Sequence, residues 1–174
     1  TTFRLLDINA FGNVTLNRVT LSDGNLAGQG AGIRNSGTLT LNDCTVSNNT
    51  TSGTGSANGG GIANLGGTLT LNRCTLVGND SGGLYEARGG AVLNKDGTVT
   101  INHSTLTGNQ ANANGGGIYN WQATGTATLN LNYTLVSGNT DNASSTIAHE
   151  IYNWSGTINA NNYNLFGHSG ETDA

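Results

Sequence analysis

A phrase of thirteen residues recurs along the chain at a nearly constant spacing. Each clear copy opens with Gly-Thr-aliphatic-Thr-aliphatic-Asn, and these copies occupy residues 37–49, 67–79 and 97–109. Weaker copies occupy residues 13–22, 128–139 and 157–167. One aligned column advances by 25, 30, 30, 30 and 29 residues, through Thr15, Thr40, Thr70, Thr100, Asn130 and Asn159. A period of this size indicates a solenoid, because one repeat cannot bury its apolar face without a neighbour stacked on it.

Within each copy, apolar and polar residues alternate with a period of two. Leu39 and Leu41 are predicted to point to the interior, and Thr38 and Thr40 to the solvent. Gly and Asn, which favour turns, separate these short runs. The pattern predicts an all-β fold, a parallel β-helix of about six coils. We expect residues 1–174 to form one such domain, as a segment of a longer protein.

The composition of the chain follows the same repeat. Gly, Asn and Thr account for 28, 27 and 25 of the 174 residues. Three columns of Asn return from coil to coil, and we predict that each column forms a ladder of amide hydrogen bonds between neighbouring coils. The columns are Asn17/Asn42/Asn72/Asn102/Asn132, Asn35/Asn64/Asn94/Asn120/Asn153 and Asn49/Asn79/Asn109/Asn139.

Charge and hydropathy argue against several classes of partner. The net charge is −4 and only 9% of the residues are charged, so we expect no nucleic acid as a partner. No apolar run approaches the ~20 residues that span a bilayer, so we expect no membrane insertion. The two Cys match no zinc spacing, and the periodic Asp of calcium-binding repeats is absent from the sequence. We therefore predict no metal and no cofactor.

Two short motifs resemble those of a known bacterial family. Residues 89–92, Gly-Gly-Ala-Val, are similar to its glycine-glycine-alanine-aliphatic signature, and residues 46–49 and 106–109 are similar to a second signature that ends in Asn. The family comprises right-handed parallel β-helix repeats of the polymorphic outer-membrane-protein type, within the pectin-lyase-like superfamily. The resemblance implies a single-stranded right-handed parallel β-helix (solenoid) and an extracellular or bacterial cell-surface location. Because the superfamily includes pectin lyases, phage tailspikes and adhesins, it implies no single function.

The two cysteines are the first candidate for a special role. They fall in one predicted inward column, which contains Val19, Cys44, Cys74, Ser104, Thr134 and Tyr163. Adjacent coils would bring the Cα atoms of Cys44 and Cys74 to about 5 Å, which is within disulfide range. Side chains stacked in one rotamer point in parallel, however, so we favour two buried free thiols over a disulfide.

Charged residues give two further candidates. One outward column alternates in sign, and we expect ion pairs with a structural role there: Arg18, Asp43, Arg73 and His103. The other acids lie in loops or turns of different columns: Asp7, Asp23, Asp80, Glu86, Asp96, Asp141 and Glu150. Loop acids such as Glu86 and Asp141 could still converge, but the sequence contains no paired carboxylates of the kind that glycosidases use. We therefore expect no catalytic residues and no enzyme, with a polysaccharide lyase or hydrolase as the minority alternative.

Aromatic residues repeat on two successive coils. The sequence Ile-Tyr-Asn-Trp occurs at residues 118–121 and 151–154. If the Ile points inward, Tyr119 stacks on Tyr152 on the outer face, with Trp121 and Trp154 beside them. An exposed aromatic surface suits sugar rings or protein partners, so these four residues are our predicted binding residues. The alternative is a packed aromatic ladder that covers the C-terminal end of the helix.

The outward threonines form the last candidate. Thr38/Thr40, Thr68/Thr70 and Thr98/Thr100 form a Thr-x-Thr array that resembles ice-binding surfaces, although Thr is also the ordinary residue at a solvated strand position.

These observations favour a non-enzymatic structural or adhesive β-helix module of a secreted or surface-anchored bacterial protein. The alternatives are a carbohydrate-binding or polysaccharide-degrading protein and an ice-binding protein. The expected partners are a glycan or a host or cell-surface protein. Because strand edges at the two ends of a solenoid lack neighbours, end-to-end self-association is a further expectation.

Overall fold

The computed structural model describes residues 1–142 and 149–167. Throughout this part of the chain the regular elements are short β-strands, which wind through six stacked coils. Four strands make up each of the first five coils, and three described strands make up the sixth.

The first two clear copies of the repeat lie in the second and third coils. The first coil contains β1 (Leu6–Ile8), β2 (Asn13–Asn17), β3 (Thr20–Ser22) and β4 (Asn25–Ala27). The second coil contains β5 (Ile33–Asn35), β6 (Thr38–Asn42), β7 (Thr45–Ser47) and β8 (Thr50–Ser52). The third coil contains β9 (Ile62–Leu65), β10 (Thr68–Asn72), β11 (Thr75–Val77) and β12 (Asp80–Ser81).

The remaining coils follow the same order of strands. The fourth coil contains β13 (Val92–Lys95), β14 (Thr98–Asn102), β15 (Thr105–Thr107) and β16 (Gln110–Ala111). The fifth contains β17 (Ile118–Trp121), β18 (Thr128–Asn132), β19 (Leu135–Ser137) and β20 (Thr140–Asp141). The sixth contains β21 (Ile151–Ser155), β22 (Thr157–Ala160) and β23 (Leu165–Gly167).

Equivalent strands of successive coils pair in parallel and form four sheets, which we name after their first strands. The β1-, β2- and β3-sheets have six strands each, and the β4-sheet has five. Pairing follows the repeat, so that Thr70 lies opposite Thr40 on one side and Thr100 on the other. The prediction of an all-β, parallel β-helix of about six coils is confirmed.

The core is built from stacked columns of aliphatic side chains. One column is fully buried in the middle coils, and it contains Leu41, Leu71, Ile101 and Leu131. Alternation along each strand produces these columns, because every second side chain faces the interior. Burial of such apolar area is the main favourable contribution to folding.

The cysteines are buried free thiols, as the sequence suggested. The Sγ of Cys44 lies 3.2 Å from the carbonyl oxygen of Asn42, and that of Cys74 lies 3.4 Å from the carbonyl oxygen of Asn72. Burial raises the pKa of the Cys74 thiol. The placement of Tyr163 in this column was wrong, because the residue that bonds to the backbone N–H of Thr134 is Asn164. Tyr163 adopts a left-handed conformation (φ 41°) at the preceding corner.

All three predicted Asn ladders are present, and two of them are buried. In one buried ladder, Nδ2 of Asn64 donates to Oδ1 of Asn94 at 2.9 Å. In the other, Nδ2 of Asn79 donates to Oδ1 of Asn109 at 2.9 Å and also to the carbonyl oxygen of Val46. The donors of both ladders point toward the C-terminal coil. Because these amides have no access to water, each hydrogen bond satisfies a group that would otherwise be costly to bury.

The third ladder lies at the surface and has the opposite polarity. Nδ2 of Asn72 donates to Oδ1 of Asn42 at 2.8 Å, so its donors point toward the N-terminal coil. Asn162 adds one member beyond the predicted column, because its Nδ2 donates to Oδ1 of Asn132 at 3.2 Å.

Candidate functional site

The predicted aromatic residues lie on the outer face of the β1-sheet, on β17 and β21. Tyr119 lies directly opposite Tyr152, and their rings are 5.6 Å apart with planes inclined by 3°. The stack follows from the parallel register, since Ile118 and Ile151 both face inward and bring the next residue of each strand to the same outer position.

Tyr119 is not on an exposed surface, contrary to the expected placement. Its side chain is only 1% exposed, because Arg88 from the preceding loop places its guanidinium 5.3 Å from the ring centre. Ala63 and Leu93 complete a small apolar cluster around it outside the main core. This environment fits the packed aromatic ladder better than an open binding surface. Trp121 and Tyr152 are partly buried against the same cluster.

Trp154 is the most exposed of the four residues, with 63% of its surface accessible. A register shift after Asn120 places Ser155, and not Trp154, opposite Trp121. The indole of Trp154 lies over Tyr152 at 6.5 Å with an angle of 21° between the planes. Tyr119 is covered by Arg88 and stacks on Tyr152, whereas Trp154 is largely exposed. Of the four residues, Trp154 therefore offers the most accessible ring to a sugar.

A second aromatic column, which the sequence reasoning missed, runs along the corner between the β2- and β3-sheets. His103 stacks on Tyr133 at 4.9 Å, and Tyr133 stacks on Tyr163 at 5.8 Å. All three have left-handed backbone conformations, with φ between 41° and 50°. Their regular spacing of 30 residues is the signal that could have revealed them, since His103 was assigned only to the charge column.

The other half of this corner column contains the predicted ion pair. Nε and Nη2 of Arg73 donate to the two carboxylate oxygens of Asp43 at 2.7 and 2.9 Å. The hydrogen bond from Arg73 holds the pKa of Asp43 below its usual value. Both side chains are exposed, so we expect the pair to contribute more to the alignment of neighbouring coils than to the free energy of unfolding. His103 does not extend this ladder, because it stacks on an aromatic ring.

The loop acids do not converge into a paired site among the described residues. Glu86 interacts with Arg88 and accepts a hydrogen bond from Ser56. Asp96 accepts three backbone N–H bonds from the turn at residues 123–125. Glu150 accepts backbone N–H bonds from residues 138 and 139.

Asp141 forms a contact that sequence reasoning also missed. Its Oδ2 lies 2.9 Å from Nδ1 of His149 and accepts the backbone N–H of Gly115 at 2.8 Å. The ring of His149 meets Tyr152 edge-on at 4.9 Å. The pair anchors one loop to the next coil, and no periodic spacing indicates it in the sequence. Within residues 1–142 and 149–167, no group of three or more His, Cys, Asp or Glu is arranged to hold a metal.

The outward threonines form two straight rows on the β2-sheet. One row is continuous over five coils: Thr38, Thr68, Thr98, Thr128 and Thr157. The parallel row contains Thr15, Thr40, Thr70 and Thr100 and changes to Asn at its C-terminal end. The first row is longer than the sequence analysis had recognised.

The described residues contain no helix with the length and apolarity needed to cross a membrane. Among models of known protein families, the one described as right handed beta helix region matches residues 4–134. No curated protein and no solved structure matches the chain. The matched residues cover most of the chain and include the first four coils with the first two strands, β17 and β18, of the fifth. The chain belongs to the right-handed β-helix family.

Proposed function

We propose that the chain is a non-enzymatic structural or adhesive β-helix module of a secreted or surface-anchored bacterial protein. The main support for this proposal is that acidic side chains in the loops accept hydrogen bonds from the backbone. Asp96, Asp141 and Glu150 each accept backbone N–H groups that anchor loops or neighbouring coils. A carboxylate engaged in this way positions the chain and is not directed at a substrate.

The loops supply the variable surface that an adhesive module needs. The connections into the β1-sheet have different lengths, over residues 28–32, 53–61, 82–91 and 112–117, while the strands keep their register. Loops on a rigid repeat are the usual place for contacts with partners. A glycan or a protein at a host or bacterial surface would meet these loops.

Two measurements test this proposal. Incubation with a panel of acidic and neutral polysaccharides should yield no new reducing ends and no unsaturated products, and turnover of any of them would overturn it. Beads coated with the chain should adhere to cells or polysaccharide gels. Replacement of residues 82–86 by a Gly-Ser segment should lower adhesion without changing the melting temperature, and unchanged adhesion would exclude this loop.

Glycan binding through Trp154 is a second candidate function, supported by the high exposure of this residue. A glycan array with the wild type and Trp154→Ala tests it, with Phe11→Ala as a control at another exposed aromatic residue. Binding that is lost only in Trp154→Ala supports this function. No bound glycan, or equal loss in both variants, removes it.

Ice binding is a third candidate, supported by the two rows of Thr in register on the β2-sheet. Thermal hysteresis of the wild type should disappear in Thr70→Tyr and persist in Thr50→Tyr, which changes the β4-sheet instead. The absence of hysteresis in the wild type would exclude this function.

A further inference from the structure

A hollow of about 290 Å³ lies on the outer side of the β1-sheet, within the second to fourth coils. Leu65 of β9 pairs with Lys95 of β13 in its floor. Both side chains face outward, because the residues before them, Asn64 and Asn94, belong to a buried ladder. The hollow therefore offers an apolar side chain on one coil and a cation on the next. Its remaining lining residues are Gln29, Gly66 and Asp96.

Hydrogen bonds hold both sides of the hollow in place. On one side, Nη2 of Arg4 donates to the carbonyl oxygen of Gln29 at 3.0 Å, and its Nε donates to that of Gly30 at 3.0 Å. On the other side, Oδ1 of Asp96 accepts the N–H groups of residues 123–125. A site whose walls are already ordered loses less conformational entropy when a ligand binds.

Lys95 supplies the positive charge of the hollow. Its Nζ lies 4.6 Å from the ring centre of Trp121, the residue opposite it on β17. Among residues 1–142 and 149–167, no carboxylate forms an ion pair with this ammonium. The carboxylate of the next residue, Asp96, is occupied by the turn at residues 123–125. The contact with the indole holds the ammonium in place without neutralising its charge.

Other cations lie on the same side of the molecule. Four of the six Lys and Arg residues lie on or beside the β1-sheet: Arg4, Arg34, Arg88 and Lys95. Arg4 and Arg34 share the single carboxylate of Asp7. Around the hollow, the three cations Arg4, Arg34 and Lys95 thus accompany two acids, Asp7 and Asp96. In a chain whose net charge is −4, this local excess of positive charge favours an anionic ligand.

The surroundings of Trp121 favour an acidic side chain over an acidic sugar. A sugar ring binds by stacking on an aromatic face. The indole of Trp121 already contacts Nζ of Lys95 and the guanidinium of Arg88, whose Cζ is 5.9 Å from the ring centre. A glutamate needs no free aromatic face, because its carboxylate can accept a hydrogen bond from Lys95 while its methylene groups pack on Leu65.

We propose that this hollow binds an acidic segment of a protein partner, with a glutamate carboxylate on Nζ of Lys95 and its aliphatic stem on Leu65. The proposal names the kind of partner for the adhesive role, and in that sense it rests on the proposed function. Because Lys95 is half-buried beside an indole, its ion pair with the partner is less screened than one between fully exposed side chains.

A fluorescein-labelled hexaglutamate peptide tests the charge preference. Fluorescence anisotropy at low ionic strength should show binding to the wild type that weakens as salt is added. Lys95→Gln should weaken binding roughly fivefold or more, and Lys95→Arg should restore most of it. Arg18→Gln removes an equal charge at the corner between the β2- and β3-sheets and should change binding by less than about twofold. No binding by the wild type, or equal weakening in Lys95→Gln and Arg18→Gln, would overturn the proposal.

Hexagalacturonate, which carries the same number of carboxylates on sugar rings, separates the two classes of anion. We expect it to bind more weakly than hexaglutamate, because the indole face is occupied by cations. Equal or tighter binding that Lys95→Gln removes would assign the hollow to an acidic glycan and overturn the proposal.

The fluorescence of Trp121 reports where the peptide binds. The chain has two tryptophans, so Trp154→Phe leaves Trp121 as the only one. Since Nζ of Lys95 lies against this indole, hexaglutamate should change the intensity or wavelength of its emission, and neutral hexaglutamine should not. Lys95→Gln should abolish the change. Constant emission while anisotropy shows binding would place the peptide elsewhere and contradict the proposal.

Adhesion of coated beads separates this inference from the proposed function. Beads that carry Lys95→Glu should adhere to cells less than wild-type beads do, at an unchanged melting temperature. Equal adhesion of the two would overturn the inference and leave the adhesive role standing. Wild-type beads that do not adhere, although hexaglutamate binds at Lys95, would count against the adhesive role and support the site alone.

Discussion

Oε2 of Glu150 lies 2.6 Å from Nδ2 of Asn139, at the point where a buried Asn ladder ends. The same oxygen accepts the backbone N–H of Asn139 at 3.1 Å, and Oε1 accepts that of Gly138 at 2.7 Å. Glu150 thus occupies the acceptor place that the next Asn of the ladder would fill. All donors of this ladder point toward it, so its negative charge matches the direction of the amide dipoles.

Glu150→Ala should loosen the C-terminal coils. Its loss leaves three N–H donors of Gly138 and Asn139 without acceptors, and we expect the free energy of unfolding to fall by about 2–4 kcal/mol. Glu150→Gln should lower the free energy of unfolding by less, because its amide oxygen can still accept a hydrogen bond from these donors. Hydrogen exchange at the amides of residues 138 and 139 measures the effect. Protection that stays at the wild-type level in Glu150→Ala would contradict the capping role.

The two thiols should be inert in the folded chain. Labelling of Cys44 and Cys74 by a thiol reagent should be slow under native conditions and rapid in denaturant, since both are buried and burial raises the pKa of Cys74. Cys74→Ser should lower the free energy of unfolding by less than about 1 kcal/mol. Ser104 already occupies the equivalent place on the next coil and donates to the carbonyl oxygen of Asn102. An intact mass 2 Da below that of the reduced chain would show a disulfide and contradict this prediction.

Asp80 should destabilise the fold near neutral pH. Burial raises the pKa of Asp80, so the folded chain binds its proton more tightly than the unfolded chain does. Its contribution to stability is therefore largest below its ordinary pKa of 3.8 and is lost as the pH rises through the folded value. Asp80→Asn should raise the melting temperature at pH 7 by about 1–3 °C and leave it nearly unchanged at low pH. Thermal melting curves recorded from low pH to pH 7 measure both changes in melting temperature. A melting temperature of Asp80→Asn below that of the wild type at pH 7 would refute the prediction.

Asp96 should behave in the opposite sense. Burial raises its pKa, but the N–H groups of Gly125, Thr124 and Ala123 together lower it more, so the pKa lies below the usual value. Its stabilisation is present above the ordinary pKa and is lost as the pH falls through the folded value. Asp96→Ala should speed hydrogen exchange at these three amides by roughly tenfold while changing global stability by about 1 kcal/mol or less. Unchanged exchange would mean that the turn holds without the carboxylate.

The fold and the ladders could be predicted because the repeat encodes them directly. A period near 30 residues aligns Asn72 with Asn42, and alternation within each strand assigns Leu41 to the core. The outer aromatic residues are different, since what covers Tyr119 is Arg88, and the equivalent positions of the neighbouring coils hold Asn58 and Asn114, so that no repeat predicts a cation there. Ladder polarity was also beyond the sequence, because an Asn column is compatible with either direction.

Two further contacts show where pattern reasoning fails. The identical Ile-Tyr-Asn-Trp runs suggested that Trp121 and Trp154 occupy equivalent positions beside the stacked tyrosines, but the chain beyond each run differs and the register shifts. Asp141 and His149 meet within one connection, so no column aligns them. The column of Tyr133 and Tyr163, by contrast, was visible in the spacing and could have been found.

We expect the buried Asn side chains to hold the coils together and the surface Asn side chains to do so only weakly. Two substitutions in the third coil test it: Asn79→Ala in a buried ladder and Asn72→Ala in the surface ladder. Asn79 accepts the backbone and side-chain N–H groups of Asn49, which its removal leaves buried without an acceptor. Urea unfolding should show a loss of about 3 kcal/mol or more for Asn79→Ala and about 1 kcal/mol or less for Asn72→Ala. Equal losses, or a larger loss for Asn72→Ala, would contradict the account.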